Sequence, residues 1–165
     1  MAAAHILTHA LLFGAAANLY LFLLMILFSP RVWGYADYPE AIKKKVPAQT
    51  GKEKALAAMV SLPWFVLVVG FPIYSVYALK AKLGGAIPFG LAFLDAAALI
   101  ACATLLDLVV LDWLIVSRIT PRFVIVPGSD KADYKDFSHH YRGHLRAVPP
   151  LAGLCLLIAG IVCLF

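Results

Sequence analysis

Four long apolar runs, near residues 5–28, 52–79, 88–116 and 149–165, limit what this chain can become more than any other feature. About 20 residues at about 1.5 Å rise each cross a hydrocarbon core of about 30 Å, so the first three runs suffice and the fourth is a little short. Hydrophobic residues make up 63% of the 165 and charged residues only 14%, against about 25% charged in soluble domains. A soluble domain of this size cannot hide that much apolar surface, whereas lipid does not penalise it. The expected fold class is all-α: a single membrane domain over 1–165, built as a four-transmembrane-helix bundle, with membrane lipids as its first partners.

The formal charge of +5 does not point to nucleic acid, because the basic residues sit in the gaps between apolar runs rather than on one polar surface. Six lie around the first gap (Arg31, Lys43, Lys44, Lys45, Lys52, Lys54), two around the second (Lys80, Lys82) and six around the third (Arg118, Arg122, Lys131, Lys135, Arg142, Arg146). The bias of Lys and Arg toward the cytoplasm then puts segments 30–51 and 117–148 inside and both termini outside, most naturally in a bacterial inner membrane. Cys102, Cys155 and Cys163 lie within apolar runs and form no CxxC pair, so they read as packing residues. No Lys or Arg precedes the first run and it exceeds a signal-peptide core, so Ala15–Ala17 reads as helix rather than a cleavage site.

Local signals place the elements. Ala10, Gly14 and Asn18 recur every fourth residue, a small-residue face that admits a neighbouring backbone. Ser29-Pro30 ends the first span, and Thr50 with Glu53 forms a capping box before the second, which contains Pro63 and Pro72 and is expected to kink or rearrange there. Lys80 to Gly85 make a turn and Pro88 opens the third span. Pro149 and Pro150 are expected to open the fourth.

The segment before those prolines is the most sorted in the chain. With Ser129 or Asp130 as cap, residues 130–147 read as a cytoplasmic amphipathic helix lying along the membrane surface. Tyr134, Phe137, Tyr141, Leu145 and Val148 form its apolar stripe, and Lys135, His139, Arg142 and Arg146 its basic one. The basic stripe could simply meet lipid phosphates. It could instead join Arg118 and Arg122 around one phosphate or carboxylate, giving an anion- or lipid-binding set of Arg118, Arg122, His139, Arg142 and Arg146. Asp136, His140 and His144 repeat every fourth residue and could face one metal ion, a spacing that a polar helix also produces by chance. His5 and His9 repeat the spacing in the first span, but without CxxCH or a matching second pair neither haem nor any other cofactor is expected.

The third span carries Asp95, Asp107 and Asp112, and carboxylates in such a run are functional candidates by default. On an ideal α-helix Asp107 lies about 120° from Asp95, and Asp112 about 140° further, so the three are not expected to line one face. Asp107, one turn from Thr104, reads as either a functional acid or half of a polar pair with Asn18, Tyr20, Trp64, Tyr74 or Tyr77. Asp112 is expected at the cytoplasmic boundary, close enough in depth to meet Arg118, Arg122 or the His-rich helix. Should the chain be an enzyme, His140 or Asp112 would act as general base, with Asp107 the third catalytic candidate.

No GxSxG, HExxH, phosphate-loop or dinucleotide fingerprint is present. The run LDLVVLDWLIVSRITPRFVIVPGSD followed by ADYKDFSHHYRGH resembles a type of small bacterial membrane protein, over about the last 45% of the chain, and the resemblance implies no activity. The expected function is binding of an anionic lipid headgroup or lipid-linked substrate at the cytoplasmic face. A proton- or cation-coupled transporter using Asp107 and Asn18, which would need a homo-oligomer to enclose its path, and a structural subunit of a larger membrane complex are the rivals.

Overall fold

The computed structural model describes residues 1–165 and contains helices only: α1 (Ala2–Leu27), α2 (Pro30–Trp33), α3 (Glu40–Lys43), α4 (Gly51–Lys82), α5 (Phe89–Leu106) running directly into a π-helical segment (Asp107–Ile119), a 3₁₀ turn (Lys131–Tyr134) and α6 (Ser138–Leu164). Four of these stretches are long and apolar enough to cross a membrane. They alternate in direction, with α5 at the centre against α1, α4 and α6.

Caps and small residues do what the sequence asks of them. The Thr50 hydroxyl accepts from the Glu53 amide at 3.2 Å while the Glu53 carboxylate accepts from the Thr50 amide at 2.7 Å, which satisfies two amides left without helical partners at the start of α4. Arg31 grips the same carboxylate through two nitrogens at 2.6 and 3.0 Å and donates to the Pro47 and Ala48 carbonyls, tying the first connection to α4. Along α1, Ala10, Gly14 and Ala17 are buried and α5 comes close. A Cβ on Gly14 would stand 3.0 Å from both Cys102 Sγ and Leu106 Cδ1. Beside it the Asn18 amide donates to the Gly14 carbonyl at 2.9 Å and the Ala103 carbonyl at 3.0 Å.

Two apolar cores result. Phe13, Val76, Leu79, Leu99, Ile158 and Val162 centre the one where the four long helices meet. The other closes the far end, where Tyr38, Ile42, Val46, Val124, Val126 and Tyr134 bring the two long connections together over Met25, Leu111 and Val116. There Tyr38 donates to the Val124 carbonyl at 2.9 Å and Tyr134 accepts from the Val126 amide at 2.9 Å. Burial, then the neighbouring Tyr134 and Asp37, hold the Tyr38 phenol above its usual range, so it stays a donor.

Two expectations change, one in the fourth span and one in the third. The surface helix over 130–147 and a separate span from Pro149 are replaced by one helix, α6, that starts at Ser138 and contains both prolines. Adjacent prolines in a helix remove only the two bonds to the carbonyls four residues back, and α6 is held at both ends, by Cys155, Ile158 and Val162 in the core and by histidine contacts near Ser138. The stripe of Tyr141, Leu145 and Val148 is accordingly the outward face of a long helix, at 49%, 52% and 56% exposure, while Tyr134 belongs to the connection core. α4 runs as one helix from Gly51 to Lys82 with Pro63 and Pro72 inside it. The third span leaves α-helical bonding at Asp107.

Gly14→Val is expected to lower unfolding stability of the purified protein by about 1–3 kcal/mol, because Cys102 and Leu106 must move. Gly70→Val, at a position with open space around it, serves as the control and should shift the thermal midpoint much less.

Candidate functional site

A π-helix bonds each amide to the carbonyl five residues back, so residues i and i+5 stack on one face. The Thr120 amide reaches the Ile115 carbonyl at 2.8 Å, and the Ser117 hydroxyl donates to the Asp112 carbonyl at 2.8 Å, both over the five-residue step. Asp107 and Asp112 are themselves five apart. The 140° separation expected of an α-helix therefore disappears and both carboxylates face α6. Lys135 anchors the end of the segment, donating to the Ser117 and Arg118 carbonyls at 2.8 Å each and to Thr120 Oγ1 at 2.9 Å, a cation set against free carbonyls at a helix C-terminus. Thr120 closes the segment in the left-handed region at φ 51°, where only a tightly bonded non-glycine residue is tolerated.

The first two turns of α6 supply the other half. His144 Nε2 lies 2.9 Å from Asp112 Oδ2 and 3.6 Å from Asp107 Oδ2, and His140 Nδ1 lies 3.1 Å from Asp112 Oδ1. Their four-residue spacing puts both rings on one α-helical face, so one imidazole meets each oxygen of Asp112. These side chains are 11–28% exposed, wet enough to exchange a ligand and dry enough for their charges to matter. One ligand atom from each of Asp107, Asp112 and His144 falls within 4.8 Å of the others, so the three could hold one ion between them.

This cluster sits in a groove of about 740 Å³. Asp37, Lys43, His139 and Arg146 surround its polar end; Leu21, Leu24, Trp64 and Phe65 line its apolar side. His139 is fixed by the Asp37 carbonyl, 2.8 Å from its Nε2. The long connection 28–50 thereby becomes a wall of the site, a contribution that no motif in the sequence announces.

The other residues singled out from sequence fall elsewhere. Arg118 lines a second, smaller groove with Trp113, Lys135 and Phe137, while Arg122 and Arg142 are exposed and line neither groove. Only His139 and Arg146 of the five-residue anion set reach the main groove. Asp136 does not join His140 and His144, because α6 begins after it and its carboxylate instead accepts from the Ser138 amide at 2.9 Å. His5 and His9 meet Asp95 through Ser75 at the opposite end of the bundle. Ser75 carried no signal beyond being a lone hydroxyl in an apolar stretch.

Removing one partner from a buried charged pair leaves the remainder uncompensated. His144→Leu should therefore destabilise the protein by about 2 kcal/mol in chemical or thermal unfolding, leaving Asp107 and Asp112 opposed. Adding Asp107→Asn to that variant should restore most of the loss; a merely additive double variant would show that the two carboxylates do not share one cluster. No protein-family model, curated protein or solved structure matches this chain, so its assignment rests on the geometry of this cluster.

Proposed function

We propose that this is an integral membrane protein that binds a first-row divalent metal ion through Asp107, Asp112 and His144, and uses it to hold the anionic headgroup of a lipid or lipid-linked substrate. The supporting observation is the convergence of those three ligand atoms within 4.8 Å at the polar end of a groove with an apolar side. Two carboxylates and an imidazole suit zinc, manganese or iron(II), and His140 stands ready as a fourth ligand or as the orienting partner of Asp112.

The ion also reconciles an acidic site with an anionic ligand. Asp37, Asp107 and Asp112 alone repel a phosphate, whereas a dication among them becomes the dominant local charge and reverses the sign. Lys43 and Arg146 at the rim add to the attraction. Exposed Met59, Leu62, Phe65 and Val66 on α4 and Leu145 and Val148 on α6 make lipid the natural surrounding of the groove's apolar side. In this reading segments 30–51 and 117–148 face the cytoplasm of a bacterial inner membrane, both termini lie outside, and the basic residues Arg118, Arg122 and Arg142 secure the orientation against anionic lipid. A metal held this way would polarise a phosphoryl oxygen, with His140 placed to take or give a proton.

Full-length protein purified without chelator is expected to retain about one zinc, manganese or iron per chain by elemental analysis, and Asp112→Asn or Asp107→Asn should lose it. Native mass spectrometry in mixed phosphatidylglycerol and phosphatidylcholine should show anionic-lipid retention by the metal-loaded protein that chelation reduces at least tenfold. Wild-type protein unable to bind any of these ions would overturn the reading, as would metal-independent lipid retention for its second half.

A further inference from the structure

The end of the bundle that carries both chain termini holds a second polar cluster, independent of the metal-ligand set. Asp95, in the second turn of α5, is wholly buried, and so is Ser75 on α4. Ser75 Oγ donates to Asp95 Oδ2 at 2.9 Å. Ser75 Oγ also lies 2.9 Å from His9 Nδ1, and His5 Nε2 lies 3.1 Å from the Ser75 carbonyl, 3.3 Å from Ser75 Oγ and 3.8 Å from Asp95 Oδ2. Asp95 Oδ1 has no hydrogen-bond partner at all. A buried acid left half-satisfied among apolar helices is costly unless it spends part of its time neutral.

The hydrogen count of the network explains how it can. Lys82 Nζ lies 3.0 Å from His5 Nδ1. An ammonium only donates, so Nδ1 offers a lone pair and Nε2 carries the hydrogen that points at the Ser75 carbonyl. In that arrangement His5 accepts through Nδ1 and donates through Nε2. Ser75 has one hydroxyl hydrogen; when it goes to Asp95 Oδ2, His9 Nδ1 must donate to Ser75 Oγ. The reversed order is equally complete: a protonated Asp95 Oδ2 donates to Ser75 Oγ, and Ser75 donates to the lone pair of His9 Nδ1. Every bond between these three groups survives the reversal.

We infer that His9, Ser75 and Asp95 form a proton relay that loads a proton from the aqueous side onto the buried Asp95. His9 is partly exposed and lies against Tyr74 and Phe71, its Nε2 outside the hydrogen bonds described. Uptake begins at that nitrogen, giving an imidazolium. His9 then passes its Nδ1 proton to Ser75 Oγ as Ser75 passes its hydroxyl proton to Asp95 Oδ2. The imidazolium and carboxylate become a neutral imidazole with hydrogen on Nε2 and a neutral carboxylic acid, with one proton gained and no other species consumed. The charged side chains at this end come from α4: Lys82, which lies against His5, and Lys80, which is committed to the Val162 carbonyl of α6 at 2.8 Å. On α6 the Cys163 thiol is directed to the Ile87 carbonyl at 3.6 Å.

The test is infrared difference spectroscopy of the full chain in phosphatidylcholine vesicles, titrated and followed after a pH jump. Wild-type protein is expected to show a protonated-carboxyl C=O band that Asp95→Asn removes, and Ser75→Ala should shift that band and slow its appearance at least tenfold. His9→Phe should slow it similarly. A spectrum unchanged by Asp95→Asn overturns the assignment of the proton to Asp95. Should that variant fail to fold, a band whose position and rate are unaffected in folded Ser75→Ala overturns the relay by itself. Metal content of these variants should equal wild type, which separates this outcome from failure of the metal site.

Discussion

The change of hydrogen-bond step at Asp107 governs the arrangement around it. As long as α5 bonds over four residues its faces repeat as any apolar helix would, and Asp95, Leu99 and Ala103 look into the bundle. Once the step becomes five, Asp107 and Asp112 share a face and Leu111, Val116 and Ser117 are directed into the connection core. The wider helix is uncommon because its bonding geometry is poorer, and it lasts where surrounding contacts determine it. Those contacts are Lys135 on the terminal carbonyls, Ser117 on the Asp112 carbonyl, and His140 and His144 on the carboxylates. A histidine-rich start to α6 and a π-helical end to α5 are therefore one structure seen from two sides.

Polar groups inside the bundle collect at its two ends, with an apolar middle between. Phe13, Ala96, Leu99 and Ile100 fill that middle with little room, and Asn18 is the polar interruption along the seam of α1 and α5. Such a distribution follows from the price of desolvation: a carboxylate near an end can recruit histidine, lysine or a nearby aqueous phase, whereas one at the centre would have only backbone. The two ends solve the problem differently. Around Asp112 each carboxylate oxygen meets an imidazole beside an open groove. Around Asp95 one oxygen is bonded and the other is not, inside a closed core.

Several features were legible from residue order alone. The apolar runs, the Thr50 and Glu53 cap, the small face of Ala10, Gly14 and Asn18, and the proximity of Asp112 to the His-rich segment all appear as expected, because each depends on neighbours within a few residues or on bulk hydrophobicity. The split of residues 130–165 into two helices did not survive. Two prolines weigh heavily in a local reading and lightly in a helix anchored at both ends. Where Arg118, Arg122 and Arg142 would stand was not legible for a related reason: similar charge says nothing about which side of a helix faces the same groove.

Residue order by itself determined the all-helical architecture of four apolar stretches, since hydrophobicity and period are local properties that the chain states directly. The tertiary structure alone decided that Asp107 joins Asp112 and His144, that Asp37 and His139 wall their groove, and that Ser75 links His9 to Asp95. Each of those meetings depends on bonding geometry or on residues up to a hundred positions apart. Helical phase accumulates with every residue, so a one-residue change in bonding step redirects side chains in a way no local pattern reveals.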